Sequence, residues 1–248
     1  MPEVFTEDSW ISETIGIKCY RCDAQTGFPL AELAEAMRLL AAGGDAFFYA
    51  KVPTDQLPLV SQLMRGGFSL VDTNIVLERQ AERLSQNSSD IEVTEARPEH
   101  YPMLQDIAES CFRYSRFHQD PRFPVTIANR IKRKWIENYC LGKRGAALYV
   151  ALLRGNPVGF LAVLKLPGKP SAAAIDLIGV RTEFQQQGIG RVLIGHFIEC
   201  WQGRVDRLVV GTQITNQSSL ALYTNHGFQV MKSAYVLHAH VNNGILAQ

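Results

Sequence analysis

Ile175-Asp-Leu-Ile-Gly-Val180-Arg-Thr-Glu-Phe184-Gln185-Gln-Gln-Gly188-Ile-Gly190-Arg-Val-Leu-Ile194 is the run on which the reading of this chain turns. A buried strand ends at Val180, a short loop holds Gly188 and Gly190, and a helical pattern begins at once. Consecutive backbone N–H groups in such a loop turn inward, and the start of the helix adds partial positive charge. Together they make a seat for an anion. Glycine at 188 and 190 lets a bulky pyrophosphate come close to the backbone. A dinucleotide fingerprint needs a third glycine at position 193, and that residue is Leu193, so this fingerprint is broken. The remaining alternative is a glycine-rich turn that binds nothing.

Outward from this run, helices and strands mix. Upstream, residues 91–96 alternate as a strand, 98–111 read as a helix, 114–124 as a loop rich in Pro, Arg and aromatic residues, and 127–140 as a second helix. Strands follow at 147–153 and 158–164 around a turn at 154–157, and 174–180 is the buried strand of the quoted run. Downstream come a helix at 190–202, a strand at 207–213, a short helix at 218–225 and a last strand at 228–240. The layout is mixed α/β with an antiparallel start.

Gln185-x-x-Gly188-x-Gly190 after a strand ending in Val180 resembles motif A of the GNAT superfamily of acyl-CoA-dependent N-acetyltransferases. The order downstream is similar too: a strand, Asn216, a short helix carrying Tyr223, then Gly227-Phe228 and a last strand. The resemblance implies a GNAT fold and acetyl-CoA as co-substrate. It implies that backbone N–H groups of Gln186, Gln187, Gly188, Ile189, Gly190 and Arg191, with Gln185 at the motif's head, hold the pyrophosphate. Backbone groups of Ile178, Gly179 and Val180 would pair with the pantetheine arm like an added strand. Asn216 would bond the pantetheine or its neighbouring backbone, or cap its helix. Tyr223 would give a proton to the leaving thiolate, a free thiol having a pKa near ~8.5 and a phenol near ~10. The alternative is a Tyr whose ring only packs. Asp176, by strand period on the same face as Ile178 and Val180, would relay the amine's proton through water, or is simply a satisfied strand carboxylate.

Residues 80–90, Gln-Ala-Glu-Arg-Leu-Ser-Gln-Asn-Ser-Ser-Asp, have linker composition. They divide the chain into an accessory α/β domain at 1–80, a linker at 81–90 and the GNAT domain at 91–248. A weak repeat joins the two parts: Gly67-Phe68 is followed by Leu77, and Gly227-Phe228 by Leu237, at the same spacing. Each reads as a helix ending at glycine and an aromatic entering a strand. The first block thus resembles a degenerate GNAT half, with Leu63 where the second copy has Tyr223.

The first block, the run Ser115-Arg116-Phe117 and Trp135-Ile-Glu-Asn138 are similar to the dTDP-fucosamine acetyltransferases, which acetylate a 4-amino-sugar nucleotide. This implies a small-molecule amine acceptor. Arg116 and Arg122 would engage phosphate with planar donor forks, Phe117, Phe123 and Tyr114 would cover a base or sugar face, and the loop would close over the ligand. The alternative is a surface loop tied down by ion pairs to Asp120. Rival functions are a peptide or small-amine acetyltransferase and a CoA-binding sensor without transfer.

Bulk properties set the outer limits. The 248 residues are 46% hydrophobic and 20% charged, with 25 Lys plus Arg against 24 Asp plus Glu. A net charge of +1 gives no electrostatic reason for nucleic acid or a membrane surface. No apolar run approaches the ~20 residues of a membrane helix. An N-terminus without a signal pattern points to the cytoplasm, and the oligomeric state stays open between monomer and homodimer. The 5 cysteines do not make a disulfide framework. Cys19 and Cys22 form a CxxC without a second ligand pair, so no metal is expected.

Overall fold

The computed structural model describes residues 4–82, 90–168 and 170–246. Most of the expected linker, residues 83–89, lies outside them.

The first block builds β1 (Phe5–Glu7), α1 (Ser9–Ile15), β2 (Lys18–Cys22), α2 (Leu30–Leu40), β3 (Ala46–Pro53), α3 (Leu57–Arg65) and β4 (Ser69–Gln80). The second builds β5 (Ile91–Glu95), α4 (Tyr101–Cys111), α5 (Arg116–Gln119), α6 (Val125–Cys140), β6 (Ala147–Leu153), β7 (Asn156–Leu166) and β8 (Ala172–Val180). It continues with α7 (Ile189–Trp201), β9 (Arg207–Gln213), α8 (Gln217–Thr224), β10 (Gln229–Asn242) and β11 (Ile245–Leu246). The stretch expected as an open loop at 114–124 thus contains a helical turn, α5. No helix among the described residues is long and apolar enough to cross a membrane.

All strands join one mixed sheet in the order β1-β2-β3-β10-β4-β9-β8-β7-β6-β5, with β11 on β10. This order exchanges strands between the halves: β10 lies between β3 and β4, and β4 lies between β9 and β10. The exchange follows the repeat. Gly67 and Gly227 both take a left-handed conformation, φ +96° and +78°. The N–H groups of Phe68 and Phe228 then reach back to the carbonyls of Leu63 and Tyr223 at 3.0 and 3.1 Å, the same helix-ending bond in each copy. Ser69 stands opposite His238 and Glu78 opposite Gln229. Ser69 and Gln229 occupy matching places in the two copies, as do Glu78 and His238, so β4 and β10 pair about an approximate two-fold axis.

The halves differ where a wedge could open. The parallel pair β2–β3 stays in register along the whole of β2, from Lys18↔Ala46 to Cys22↔Ala50. The parallel pair β8–β9 runs only from Ala172↔Arg207 to Ile175↔Val210 and then parts. In the first half the loop after β2 is also plugged: Gln62 accepts from the Gly27 N–H at 3.0 Å and donates to the Phe28 carbonyl at 2.5 Å.

Four apolar clusters hold the sheet. Ile189, Leu193, Ile194, Phe197 and Ile198 on one face of α7 pack on Ile175, Leu208 and Val210. On the opposite face, Leu104 and Ile107 of α4 and Ile136 and Tyr139 of α6 cover Val150, Phe160 and Leu177. In the first half α2 and α3 pack on Phe48, Ala50 and Leu237. There the opposite face is closed by Ile11, Phe47, Phe117, Phe123 and Ile131. Cys19 belongs to this last cluster and Cys22 to the α2–α3 cluster. Three positions apart on a strand, they point to opposite faces and cannot share one ion.

Candidate active site

Where β8 and β9 part, the β9-facing edge of residues 176–179 has no strand partner, while β7 pairs the other edge. The loop that follows turns through two left-handed residues, Gln186 at φ +63° and Gly188 at φ +85°. Gly188 is the N-cap of α7 and offers no side chain. The backbone N–H groups from Gln186 to Arg191 find no acceptor among the described residues. A Cβ built on Gly188 would meet nothing within 4 Å, so the space above the loop is open. Gln185 braces the loop by donating to the Val180 carbonyl at 3.1 Å. An unpartnered strand edge beside free amides at a helix start suits an extended amide chain ending in a phosphate group.

Close packing sets this geometry. A Cβ on Gly159 would stand 2.9 Å from the Gly179 carbonyl and 3.2 Å from Ile189, so α7 approaches β7 only because that residue is glycine. A Cβ on Gly190 would meet Leu222 at 3.1 Å, which brings α7 and α8 together. Tyr223 on α8 is buried in the core with Ile175, Leu193 and Val210, and Ile178 and Val180 pack against the same cluster. Burial raises its phenol above the ordinary value, opposed by a hydrogen bond with Ser219. The hydroxyl therefore stays protonated at neutral pH. Asn216 caps α8, its side chain accepting from the Ser219 N–H at 3.2 Å.

Asp176 departs from expectation. Between Ala162 and Val163 the β7–β8 register shifts, so Ile175 and Leu177 face consecutive β7 residues and Asp176 is the extra one. The bulge turns it to the α6 face, away from Ile178 and Val180. There its carboxylate accepts from Trp135 Nε1 (2.8 Å), Tyr139 Oη (2.8 Å), Arg144 Nε (2.7 Å) and Arg144 Nη2 (3.1 Å). It is the anchor that ties α6 to the sheet beside the wedge.

The stretch 114–124 is likewise fixed to the sheet. Asp120 is buried and accepts from His238 Nδ1 and His240 Nε2, both at 2.7 Å. Its partners are thus two histidines of β10 and not arginines. These bonds hold the Asp120 carboxyl well below its usual range, against burial. Burial holds His238 down to about 4, so the ring is neutral. Among the described residues this is the one group of three side chains whose ligand atoms could meet a metal ion, but they bond one another and lie closed in by Phe47, Phe117 and Phe123. Phe117 and Phe123, at 2% and 9% exposure, are core residues and do not offer a face to a ligand. Tyr114 is exposed. Ser115 bonds His118 at 2.6 Å, and His118 bonds Asn129 at 2.9 Å. The Arg122 N–H donates to Asp120 at 2.9 Å.

Arg116 remains available. Its guanidinium lies 3.9 Å from the Tyr49 ring centroid and 4.4 Å from that of Phe117, and Nη1 donates toward His238 Nε2 at 3.4 Å. Around it stand three charged residues that sequence reasoning passed over. Lys51, on the same strand face as Tyr49, forms a row with Val236 and Asp72 across β3, β10 and β4. Lys132 is on the buried side of α6 with Ile131, Ile136 and Tyr139. Asp72 is buried, and its Oδ2 is the one buried carboxylate oxygen among the described residues without a hydrogen-bond partner. Burial raises Asp72 to about 6, against the Thr73 N–H and the Lys51 charge. A charge in a strand or helix phase that is otherwise apolar was the available signal.

Comparison with known proteins agrees with this geometry. Residues 101–228 match the model of the acetyltransferase (GNAT) family. A curated relative, the spore coat polysaccharide biosynthesis protein SpsD of Bacillus subtilis (strain 168), is 31% identical over 134 residues. That match spans 54% of this chain and 45% of that protein. A functionally unknown conserved protein from Staphylococcus epidermidis superposes with TM-score 0.63 at 15% identity, over 92% of this chain and 87% of that one. A tandem GNAT protein from the clavulanic acid biosynthesis pathway superposes with TM-score 0.61 at 13% identity, over 90% and 75%. The chain belongs to the GNAT acetyltransferase family. Its fold is the one that the loop at 185–190 implied.

Proposed function

We propose that this enzyme transfers the acetyl group of acetyl-CoA to the primary amine of an amino-sugar nucleotide, a dTDP-linked 4-amino sugar being the first candidate. The observation that carries the reading is the pairing of two unlike regions across the splayed strands. On one side lie an open strand edge and free amides that fit the acyl donor. On the other lie the cations Lys51, Arg116 and Lys132 and the unsatisfied carboxylate oxygen of Asp72, which fit a polar anionic amine. The named role of SpsD in polysaccharide biosynthesis supports a sugar-linked acceptor.

Acetyl-CoA supplies an activated acyl carbon. The donor seat consists of Ile178, Gly179 and Val180 with the loop from Gln185 to Arg191. The acceptor's neutral nitrogen attacks the thioester carbonyl carbon, the C–N bond forms, and the C–S bond breaks. Tyr223, protonated by virtue of its burial, gives its proton to the departing thiolate. Asp72 Oδ2, an acceptor without a donor, takes the proton released by the nitrogen. Asp176, bonded on every side by Trp135, Tyr139 and Arg144, acts as an anchor and not as a relay.

The test is release of free CoA thiol with dTDP-4-amino-4,6-dideoxyhexoses, compared with lysine peptides and polyamines. The expected result is turnover on the amino-sugar nucleotides. Turnover confined to peptides or polyamines overturns the acceptor class. Tight CoA binding without turnover on any amine favours a sensor.

A further inference from the structure

Three cations lie on the α5–α6 side of the sheet without a carboxylate in ion-pair contact: exposed Lys51, half-buried Arg116 and buried Lys132. Lys51 and Lys132 make no hydrogen bond or ion pair with any described residue, and Arg116 has only the neutral His238 and Tyr49. Lys132 Nζ lies 4.9 Å from the ring centroids of both Phe112 and Trp135. Trp135 in turn donates to Asp176 on β8, so Lys132 stands beside the wedge. The Arg116 guanidinium lies over the Tyr49 and Phe117 rings, and Tyr49 shares a strand face with Lys51.

The carboxylates that face this group do not cancel it. Asp176 is neutralised by Arg144. Asp8 accepts from the Ile11 N–H and the Tyr49 hydroxyl. Asp72 faces Lys51, and Lys232 adds a further positive charge there. Burial, with the Arg116 and Lys51 charges beside it, brings Lys132 down to about 8. Lys132 is taken out of water without a partner, which is costly, and the cost is recovered where a ligand supplies the anion between it, Arg116 and the exposed Lys51.

We propose that Lys51, Arg116 and Lys132 form a subsite for an oxyanion carried by the acceptor, a phosphate of its nucleotide or a carboxylate on its sugar. The proposal rests on the amino-sugar reading and names the group that the enzyme recognises. The subsite sets specificity by attraction and exclusion together: it draws anionic amines to the wedge and repels polyamines and basic peptides. Arg116 supplies a fixed fork and the two lysines supply point charges from opposite walls.

The experiment is calorimetry on the CoA-loaded full chain with dTDP, inorganic pyrophosphate and glucuronate, for the wild type and for Lys51→Met and Lys132→Met. Binding of dTDP or pyrophosphate assigns the subsite to phosphate, and binding of glucuronate alone assigns it to carboxylate. Each substitution should weaken the bound anion by about 10- to 100-fold while CoA affinity holds. Lys132→Met should also raise Tm, since an apolar side chain replaces an unpaired buried charge. A fall in Tm with unchanged anion affinity assigns Lys132 to the scaffold and overturns the proposal. So does the absence of binding by all three anions. Acetyl transfer to an amino-sugar nucleotide with the same KM in both variants removes the subsite and leaves the amino-sugar reading standing. Anion binding weakened by both variants, without acetylation of any amino sugar, keeps the subsite and removes that reading.

Discussion

Replacing Gly188 by glutamate sets a charge against the donor seat without a steric clash, and its effects on binding and on folding can be separated. Gly188 stands at φ +85°, and nothing lies within 4 Å of a Cβ built there. The fold therefore loses only the left-handed penalty of a non-glycine residue, about 1–2 kcal/mol. For a chain of this size that lowers Tm by roughly 2–8 °C. Binding loses more. A carboxylate about 4 Å from a phosphate is repelled by ~1 kcal/mol in bulk water and by ~4 kcal/mol at an effective dielectric near 20. Residues 185–188 are exposed, so the loss falls between these limits, roughly 5- to 1000-fold in acetyl-CoA affinity. Calorimetry measures it, with Gly188→Ala as the control that carries the backbone penalty without the charge. Gly188→Ala should keep most of the affinity and show the same fall in Tm. Wild-type affinity in Gly188→Glu would refute the pyrophosphate seat.

Tyr223→Phe should lower kcat by ~10²–10⁴-fold at unchanged acetyl-CoA affinity, as expected for a proton given in the transition state; steady-state kinetics with wild-type kcat would return Tyr223 to packing. Asp72 must be ionised to accept a proton and its carboxyl is raised to about 6, so kcat should fall as pH drops through about 6, and Asp72→Asn should lose both that limb and most of the rate. Asp176→Ala strips four bonds from a nearly buried anchor and leaves Arg144 unpaired, which should cost about 3 kcal/mol and roughly 6–12 °C in Tm. A wild-type Tm with collapsed kcat would instead make Asp176 a relay. His238 is depressed to about 4 by burial, so the unfolded chain binds the proton first: stability should fall as pH drops from about 6.5 toward 4, and His238→Phe should flatten that part of a Tm-versus-pH curve.

The strand, glycine loop and helix of the proposed donor side were legible because they are local. The strand to Val180, the two glycines and the helix after them act within a single stretch of chain, and each carries its own conformational signature. The order Asn216, Tyr223, Gly227-Phe228 was readable for the same reason. Asp176 was assigned the wrong face because the bulge comes from how β8 pairs with β7, and no residue in 174–180 announces it. Phe117 looked like a ligand-covering aromatic in a loop. It is core because Phe47, seventy positions earlier, supplies its other half. Lys51 and Asp72 are distant in sequence and come into one row only because β10 inserts between β3 and β4, while Lys132 reaches that face from α6. The repeat at Gly67 and Gly227 was visible, but which strand each copy pairs with depends on long-range register that periodicity does not encode.

The exchanged strands also divide the inheritance of the enzyme. On the proposed reading, the half that keeps its wedge carries the donor seat and the acid, and substitutions there are limited to what acetyl-CoA tolerates. In the half whose wedge is closed, β3 and β4 place Lys51 and Asp72 in one row across β10, on the side proposed for the acceptor. Substitutions in the silent copy can therefore retune which amine is accepted while the donor machinery stays untouched. On that reading the half with the closed wedge serves as the specificity region of its twin.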